Sequence, residues 1–194
     1  MRTRWCAFFV ITGGFLAQAC SGGPGLSAPA PTAQGSRPYV LLVSMDGFRY
    51  DYADLFTARS IQQFCSEGAS AKSLVPVFPS TTFANHYSIA TGLYPENHGI
   101  VANSFYDPAR RVTFRYSEKD KSTDGSWYGG TPLWVLAEKQ GMRAATFFWP
   151  GSDAEIAGTR PTYYIPYDAS VPHERRVSQV VDWLRLPEPR RPHF

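Results

Sequence analysis

The sequence predicts an α/β fold: a mostly parallel sheet with helices on both faces. Two apolar runs, YVLLVSMDG (39–47) and RAATFFWPG (143–151), end in loops and read as strands buried on both sides. Helical patterns with their own start and stop signals alternate with such runs. This alternation implies crossover units, which put helices on the sheet faces and gather ligands at the carboxyl ends of the strands.

Residues 39–47 form the first expected strand, and Asp46-Gly47 opens the loop behind it. Residues 58–67 read as a helix closed by Gly68, with Cys65 inside its apolar pattern as a buried thiol. A second strand fits 69–77. A helix opens near Thr82 and runs to about Thr91, where Gly92 stops it. VANSF and VTFRYS suit extended segments, with YDPARR as the turn between them. Thr131-Pro132 starts another helix, by a capping threonine and a proline at the first helical position. Leu133, Leu136 and Ala137 are its expected inward face, and Gly141 its end. RAATFFWPG follows as a buried strand. Pro172 opens the last helix, with Val177, Val180, Val181 and Leu184 on one face and Pro187 as its stop.

A length of 194 residues bounds the chain to one domain or part of a larger one. Hydrophobic residues at 43% and charged residues at 18% exclude a disordered chain. The net charge is +3, and the basic residues are scattered apart from Arg175-Arg176 and Arg190-Arg191. No dense basic stripe marks a nucleic-acid surface.

Residues 1–19 read as a bacterial-type signal peptide: Arg2 and Arg4, an apolar run from Trp5 to Leu16, then Ala17 and Ala19. The run is short for a membrane span. Cys20 after small residues resembles a lipoprotein box, in which it would be lipidated and hold the protein to a membrane. Such boxes usually carry Leu where Ala17 stands, and ordinary cleavage after Ala19 is the alternative. Either route exports the protein to the periplasm or cell envelope. Residues 20–37, rich in Gly, Pro, Ser and Ala, read as a flexible linker. The domain occupies 38–194, and Cys65 is its one cysteine, so no disulfide forms within it.

Asp46, at a strand end, could ligate a metal, cap a turn or simply be solvated. Thr82 sits where a helix begins. The partial positive charge there favours an alkoxide or a bound phosphate, and a divalent metal could complete the activation of its hydroxyl. The alternative is that Ser80, Thr81 and Thr82 are ordinary helix caps. His86 and His98 lack the spacing of a ligand pair and read as hydrogen-bonding structural histidines. Asn103 could give its amide to a phosphoryl oxygen or close a turn. Phe83, Trp149 and Tyr167 could stack on a base, and are otherwise core residues.

MDGFR, PVFPSTTFANHYSIATGLYPENHGIVANSFYDP, YGGTPLWVLAEKQG and FFWPGSDAEI occur in that order. Together they resemble the nucleotide pyrophosphatase/phosphodiesterase family of the alkaline phosphatase superfamily, over about 38–194. The resemblance implies an alkaline phosphatase-like fold and metal-dependent hydrolysis of phosphodiester or pyrophosphate bonds, with nucleotides as substrates. It implies two zinc ions, with Asp46 and Thr82 among their ligands and Thr82 as the nucleophile of a phosphothreonine intermediate. Asn103 would hold a phosphoryl oxygen. Phe83 and Tyr167 would sandwich a nucleobase, and Trp149 and Asp153 would line the same pocket.

Three positions depart from the pattern. Thr81 and Ser104 stand where many relatives or some nucleotide-specific members carry lysine, and Ala84 stands where many carry proline. Substrate preference is therefore open. The remaining zinc ligands are expected beyond Phe194, so the chain reads as an apparently truncated N-terminal portion, inactive alone. Two other readings compete: a catalytically dead envelope lipoprotein that binds without turnover, and an enzyme of the same superfamily acting on phospholipid headgroups or on monoesters.

Overall fold

The computed structural model describes residues 37–194. The expected signal peptide, Cys20 and all of the linker but Arg37 lie outside the described residues. The helices are α1 (Tyr52–Leu55), α2 (Arg59–Glu67), α3 (Thr82–Thr91), α4 (Pro95–His98), α5 (Lys119–Ser122), α6 (Leu133–Lys139) and α7 (His173–Leu184). The strands are β1 (Ser104–Asp107), β2 (Val112–Arg115), β3 (Ala145–Phe147) and β4 (Tyr163–Ile165).

α3 ends as expected. Gly92 adopts the left-handed conformation, φ +70°, and its N–H closes on the Ser88 carbonyl. A side chain there would meet the Cβ penalty that glycine avoids. α4 follows with Pro95 in its first turn. The chain then forms an antiparallel hairpin in which Phe105 of β1 faces Phe114 of β2. Asp107 closes the turn, its Oδ1 accepting the backbone N–H groups of Ala109 and Arg110.

The core is aromatic. Tyr87 from α3, Phe114 from β2, Trp127, Tyr128 and Trp134 from α6 cluster with Ile100, Val135 and Ile156. Phe114 meets Phe105 at 5.1 Å and Trp127 at 5.4 Å between ring centroids. Tyr87 meets Tyr128 edge-on at 5.2 Å. Each fully buried side chain of this size contributes roughly 1.5–3 kcal/mol. The core therefore holds α3 rigidly from behind while its first turn stays accessible.

His98 lies inside this core with no exposed surface. Its Nδ1 accepts the Ile100 N–H, so the ring proton is on Nε2, 2.9 Å from the Ser88 hydroxyl oxygen. Burial holds its pKa below the ordinary 6.5, with the Ala84 carbonyl opposing this more weakly. The unfolded chain thus takes up the proton first. The stability from neutral His98 is complete above about pH 6.5 and declines as pH falls toward the depressed folded value. Thermal melting should show the midpoint dropping from pH 7 to pH 5, with a shallower drop in His98→Asn. Equal slopes in the two proteins would refute it.

β3 and β4 pair in parallel, Ala145 opposite Tyr163 and Phe147 opposite Ile165. Glu138 anchors both strands, its Oε1 accepting the N–H groups of Ala144 and Thr162. The ladder continues on the other side of β3. Ala145 N–H donates to the Phe194 carbonyl, His193 N–H to Arg143, and Val40 N–H to His193. The α/β class with parallel pairing is therefore realised.

Several local expectations are not. Residues 39–47 and 69–77 form no strand. Among the described residues, Val40–His193 is the one backbone ladder bond of the first run, and Leu41 and Val43 stay more than half exposed. A strand is defined by its neighbours, and this run has too few. In the second run the Val77 N–H goes to the Asn85 side chain instead of a strand. Cys65 is exposed, not buried, because α2 buries none of its residues. α6 starts after Pro132 without a Thr131 cap, and buries Trp134 and Val135 with Ala137 while Leu133 and Leu136 remain exposed. α7 docks through Trp183, which stacks on Tyr163 and touches Phe147. The larger aromatic surface wins over the valine stripe, and Val177 and Leu184 are left exposed.

Candidate active site

The loop before α3 is shaped by one side chain. Asn85 accepts the Val77 N–H through Oδ1 and donates through Nδ2 to the Pro79 and Thr81 carbonyls. This satisfies backbone groups in a loop that forms no sheet. Thr81 becomes the N-cap with extended backbone, yet its side chain makes no capping bond, and its Oγ1 is buried without a partner. The hydroxyl of Thr82 does not cap either. It donates to Asp46 Oδ2 at 2.9 Å. Two residues 36 positions apart in sequence thus meet at the positive end of a ten-residue helix.

Asp46 reaches this place from the loop ending the first apolar run. Gly47 there has φ +72°, and Phe48 N–H turns back to the Met45 carbonyl. Asn103 lies just before β1, and its Oδ1 accepts the Phe83 N–H at 2.9 Å. The carbonyl half of the amide is used by the helix, which leaves the NH₂ half as the donor for an incoming oxygen.

His86, one turn along α3, is buried. Its Nδ1 lies 2.8 Å from the Thr82 carbonyl, so Nδ1 carries the proton. Its Nε2, 2.9 Å from Ser44 Oγ, then accepts the serine proton. Trp149 stands edge-on to the His86 ring and donates its indole N–H to the His86 carbonyl at 3.2 Å. The loop behind β3 is packed tightly below it. Gly151 has φ +84°, and a Cβ there would come within 2.8 Å of the Tyr128 ring.

The remaining expected residues are distributed around this centre. Phe83 packs on Tyr116 and Phe114, at 5.4 and 6.2 Å between centroids. Tyr167 is exposed and contacts Phe148 edge-on, with Arg176 over the other ring. Asp153, mostly buried, pairs with Lys119 of α5 at 3.6 Å. Thr82, Asp46, Asn103 and Trp149 are thus joined through α3, Asn103 by way of the Phe83 N–H, whereas the rings of Phe83 and Tyr167 make separate contacts. Reading the sequence missed Ser44 and Lys119. Ser44 had a signal: in an extended run it shares a face with Asp46, two positions on.

A carboxylate and a hydroxyl side by side are the hard oxygen donors a divalent cation takes. Among the described residues no group of three or more His, Cys, Asp or Glu side chains could hold a metal. Asp46 and Thr82 fit a cation as part of a ligand set.

The model of the type I phosphodiesterase / nucleotide pyrophosphatase family matches residues 40–194. The chain belongs to this family. As a type I phosphodiesterase sequence it is 46% identical over 173 residues to human ectonucleotide pyrophosphatase/phosphodiesterase family member 1, covering 87% of this chain and 18% of the relative. It is 41% identical over 182 residues to venom phosphodiesterase 2 of Crotalus adamanteus, covering 93% of this chain and 22% of that one. The chain thus spans about a fifth of the length of these curated relatives. The structure resembles murine ectonucleotide pyrophosphatase/phosphodiesterase 5, solved as an inactive threonine-to-alanine variant in complex with AMP. The TM-score is 0.73 at 35% identity, over 79% of this chain and 41% of that one. The human form of the same phosphodiesterase gives 0.71 at 37% identity, over 79% and 41%. The alkaline phosphatase-like α/β class expected from the resemblance is the fold of these neighbours.

Proposed function

We propose that the full-length gene product hydrolyses phosphodiester or pyrophosphate bonds of nucleotides, with Thr82 as the nucleophile. The observation that carries this reading is the 2.9 Å pairing of Thr82 and Asp46 at the first turn of α3, in a chain of this family. The inactive threonine variant of the murine neighbour, with AMP bound, supports it.

Thr82 Oγ attacks phosphorus in line with the leaving oxygen. The new O–P bond makes a phosphothreonine that keeps the remaining ester arm, and the bond to the leaving group breaks. The Thr82 proton is already directed at Asp46 Oδ2. Asn103 donates its free amide hydrogens to a phosphoryl oxygen as charge builds there. Water then cleaves the phosphothreonine and restores the hydroxyl. Divalent cations, zinc by the resemblance, would be held by Asp46, Thr82 and further ligands, and would lower the pKa of the hydroxyl and neutralise phosphoryl charge. Phe83 and Tyr167 bind the base, beside Trp149 and Asp153. No cation from Thr81 or Ser104 serves the extra charge of a monoester, so a diester suits the site.

Release of nitrophenol from a nitrophenyl nucleotide should exceed release from nitrophenyl-phosphocholine. Chelator should abolish it and zinc restore it. Faster turnover of the phosphocholine ester would move the assignment to lipid headgroups. No turnover of either ester by the zinc-loaded protein would favour a binding module.

The protein is also proposed to be exported, with residues 1–19 removed, 20–37 as a tether and 38–194 as part of the catalytic domain. The mass of the mature N-terminal peptide tests this: a lipidated Cys20, an unmodified Cys20 and an intact Met1 are all distinguishable, and Met1 would overturn it.

A further inference from the structure

The run that carries Asp46 is weakly held. Among the described residues, beside the local turn bond from Phe48 N–H to the Met45 carbonyl, three hydrogen bonds tie Val40 to Asp46 to distant parts of the chain: Val40 to His193, Ser44 to His86, and the Thr82–Asp46 pair itself. Val40 is far along the run from Asp46. The Thr82–Asp46 bond must change during reaction, since the hydroxyl loses its proton. Among the described residues, Ser44–His86 is then the one fixed polar tie from beside the carboxylate to α3. It reaches a ring that is buried, locked in one tautomer by the Thr82 carbonyl, and backed by Trp149.

We infer that Ser44 and His86 form a positioning pair that fixes the separation of the Asp46 carboxylate from the Thr82 hydroxyl. The relay is short. Ser44 is two residues before Asp46, which opens the turn, while His86 and Thr82 lie on one face of α3, one turn apart. Each contact in the chain Asp46–Ser44–His86–Thr82 therefore constrains the next. The imidazole donates to the backbone of the nucleophile and accepts from the loop of its partner. Neither group touches the reacting atoms. A displacement on the order of 1 Å at such a site costs about a hundredfold in rate.

This inference rests on the proposed phosphodiesterase reading, so two measurements separate their failures. In the full-length gene product, Ser44→Ala should lower kcat on a nitrophenyl nucleotide about 10- to 100-fold. KM should change less than about threefold, and the melting temperature should hold, because Ser44 is at the surface. Ser44→Thr, which keeps the hydroxyl, should recover most of the rate. Unchanged kcat in Ser44→Ala, or equal loss in Ser44→Thr, would overturn the inference. The second readout needs no turnover. With histidine-selective ¹⁵N labelling, His86 should show the Nδ1–H tautomer, and its Nε2 resonance should move in Ser44→Ala. An Nε2–H tautomer would overturn the pair whatever the activity. An inactive wild type with the Nδ1–H pattern and the Ser44→Ala shift would leave the pair standing and remove the phosphodiesterase reading.

Discussion

Thr82→Ala is expected to abolish turnover of a nitrophenyl nucleotide, lowering kcat by at least about 10⁴-fold, or about 5.5 kcal/mol of transition-state stabilisation. The size follows from the role. A hydroxyl that forms the bond to phosphorus has no neighbour to replace it. The Thr81 oxygen is buried behind the helix start, and His86 is committed to the Thr82 and Ser44 contacts. KM should move little, since base and phosphoryl contacts persist. The fold should also persist, because α3 is held by Tyr87, Ala90 and the hairpin aromatics, not by this side chain. Stopped-flow release of nitrophenol checks it, and retained multiple turnover would remove Thr82 from its assigned role.

Asp46→Asn should be the second largest effect, about 10²- to 10³-fold in kcat. The substitution keeps the shape and an oxygen that can accept the Thr82 proton-side bond. It removes the negative charge that a cation and a departing proton both require. If the hydrogen bond at 2.9 Å were the whole function of the carboxylate, asparagine would preserve the rate. Because Asp46 is exposed, the melting temperature should stay within a few degrees. Steady-state kinetics at saturating zinc, compared with kinetics at limiting zinc, separates lost cation affinity from a lost intrinsic rate.

The helices were the most legible part of the sequence, because their signals are local. Gly92 closes α3 and Pro172 stands at the start of α7 as read. The hairpin of β1 and β2 was visible for the same reason, its turn lying between two short runs. Strand status was less legible, because it depends on partners distant in sequence. Residues 39–45 are apolar enough for a buried strand but find one ladder bond. Tyr163–Ile165 is too short to announce itself and becomes β4 by pairing with β3. Facing was misread where aromatics competed with aliphatic stripes, as Trp183 does on α7 and Trp134 on α6.

The candidate site was legible as residue types at element ends, and its connectivity was not. Nothing local says that the Thr82 hydroxyl ignores the capping role open to it and turns to Asp46. That choice is made by tertiary placement, as is the bond between Asn103 and the Phe83 N–H. His86 read correctly as a hydrogen-bonding structural residue, but its partner Ser44 is a surface serine whose importance comes only from position.

The central claim is tested most directly by trapping the intermediate. The full-length gene product is mixed with excess nitrophenyl nucleotide, quenched in acid within the first turnover, digested and mapped by tandem mass spectrometry. The account predicts a nucleoside monophosphoryl group on the Thr82 hydroxyl, absent from Thr82→Ala. The same group on Ser80, Thr81 or a histidine, or rapid product formation with no modified peptide at any quench time, would contradict it.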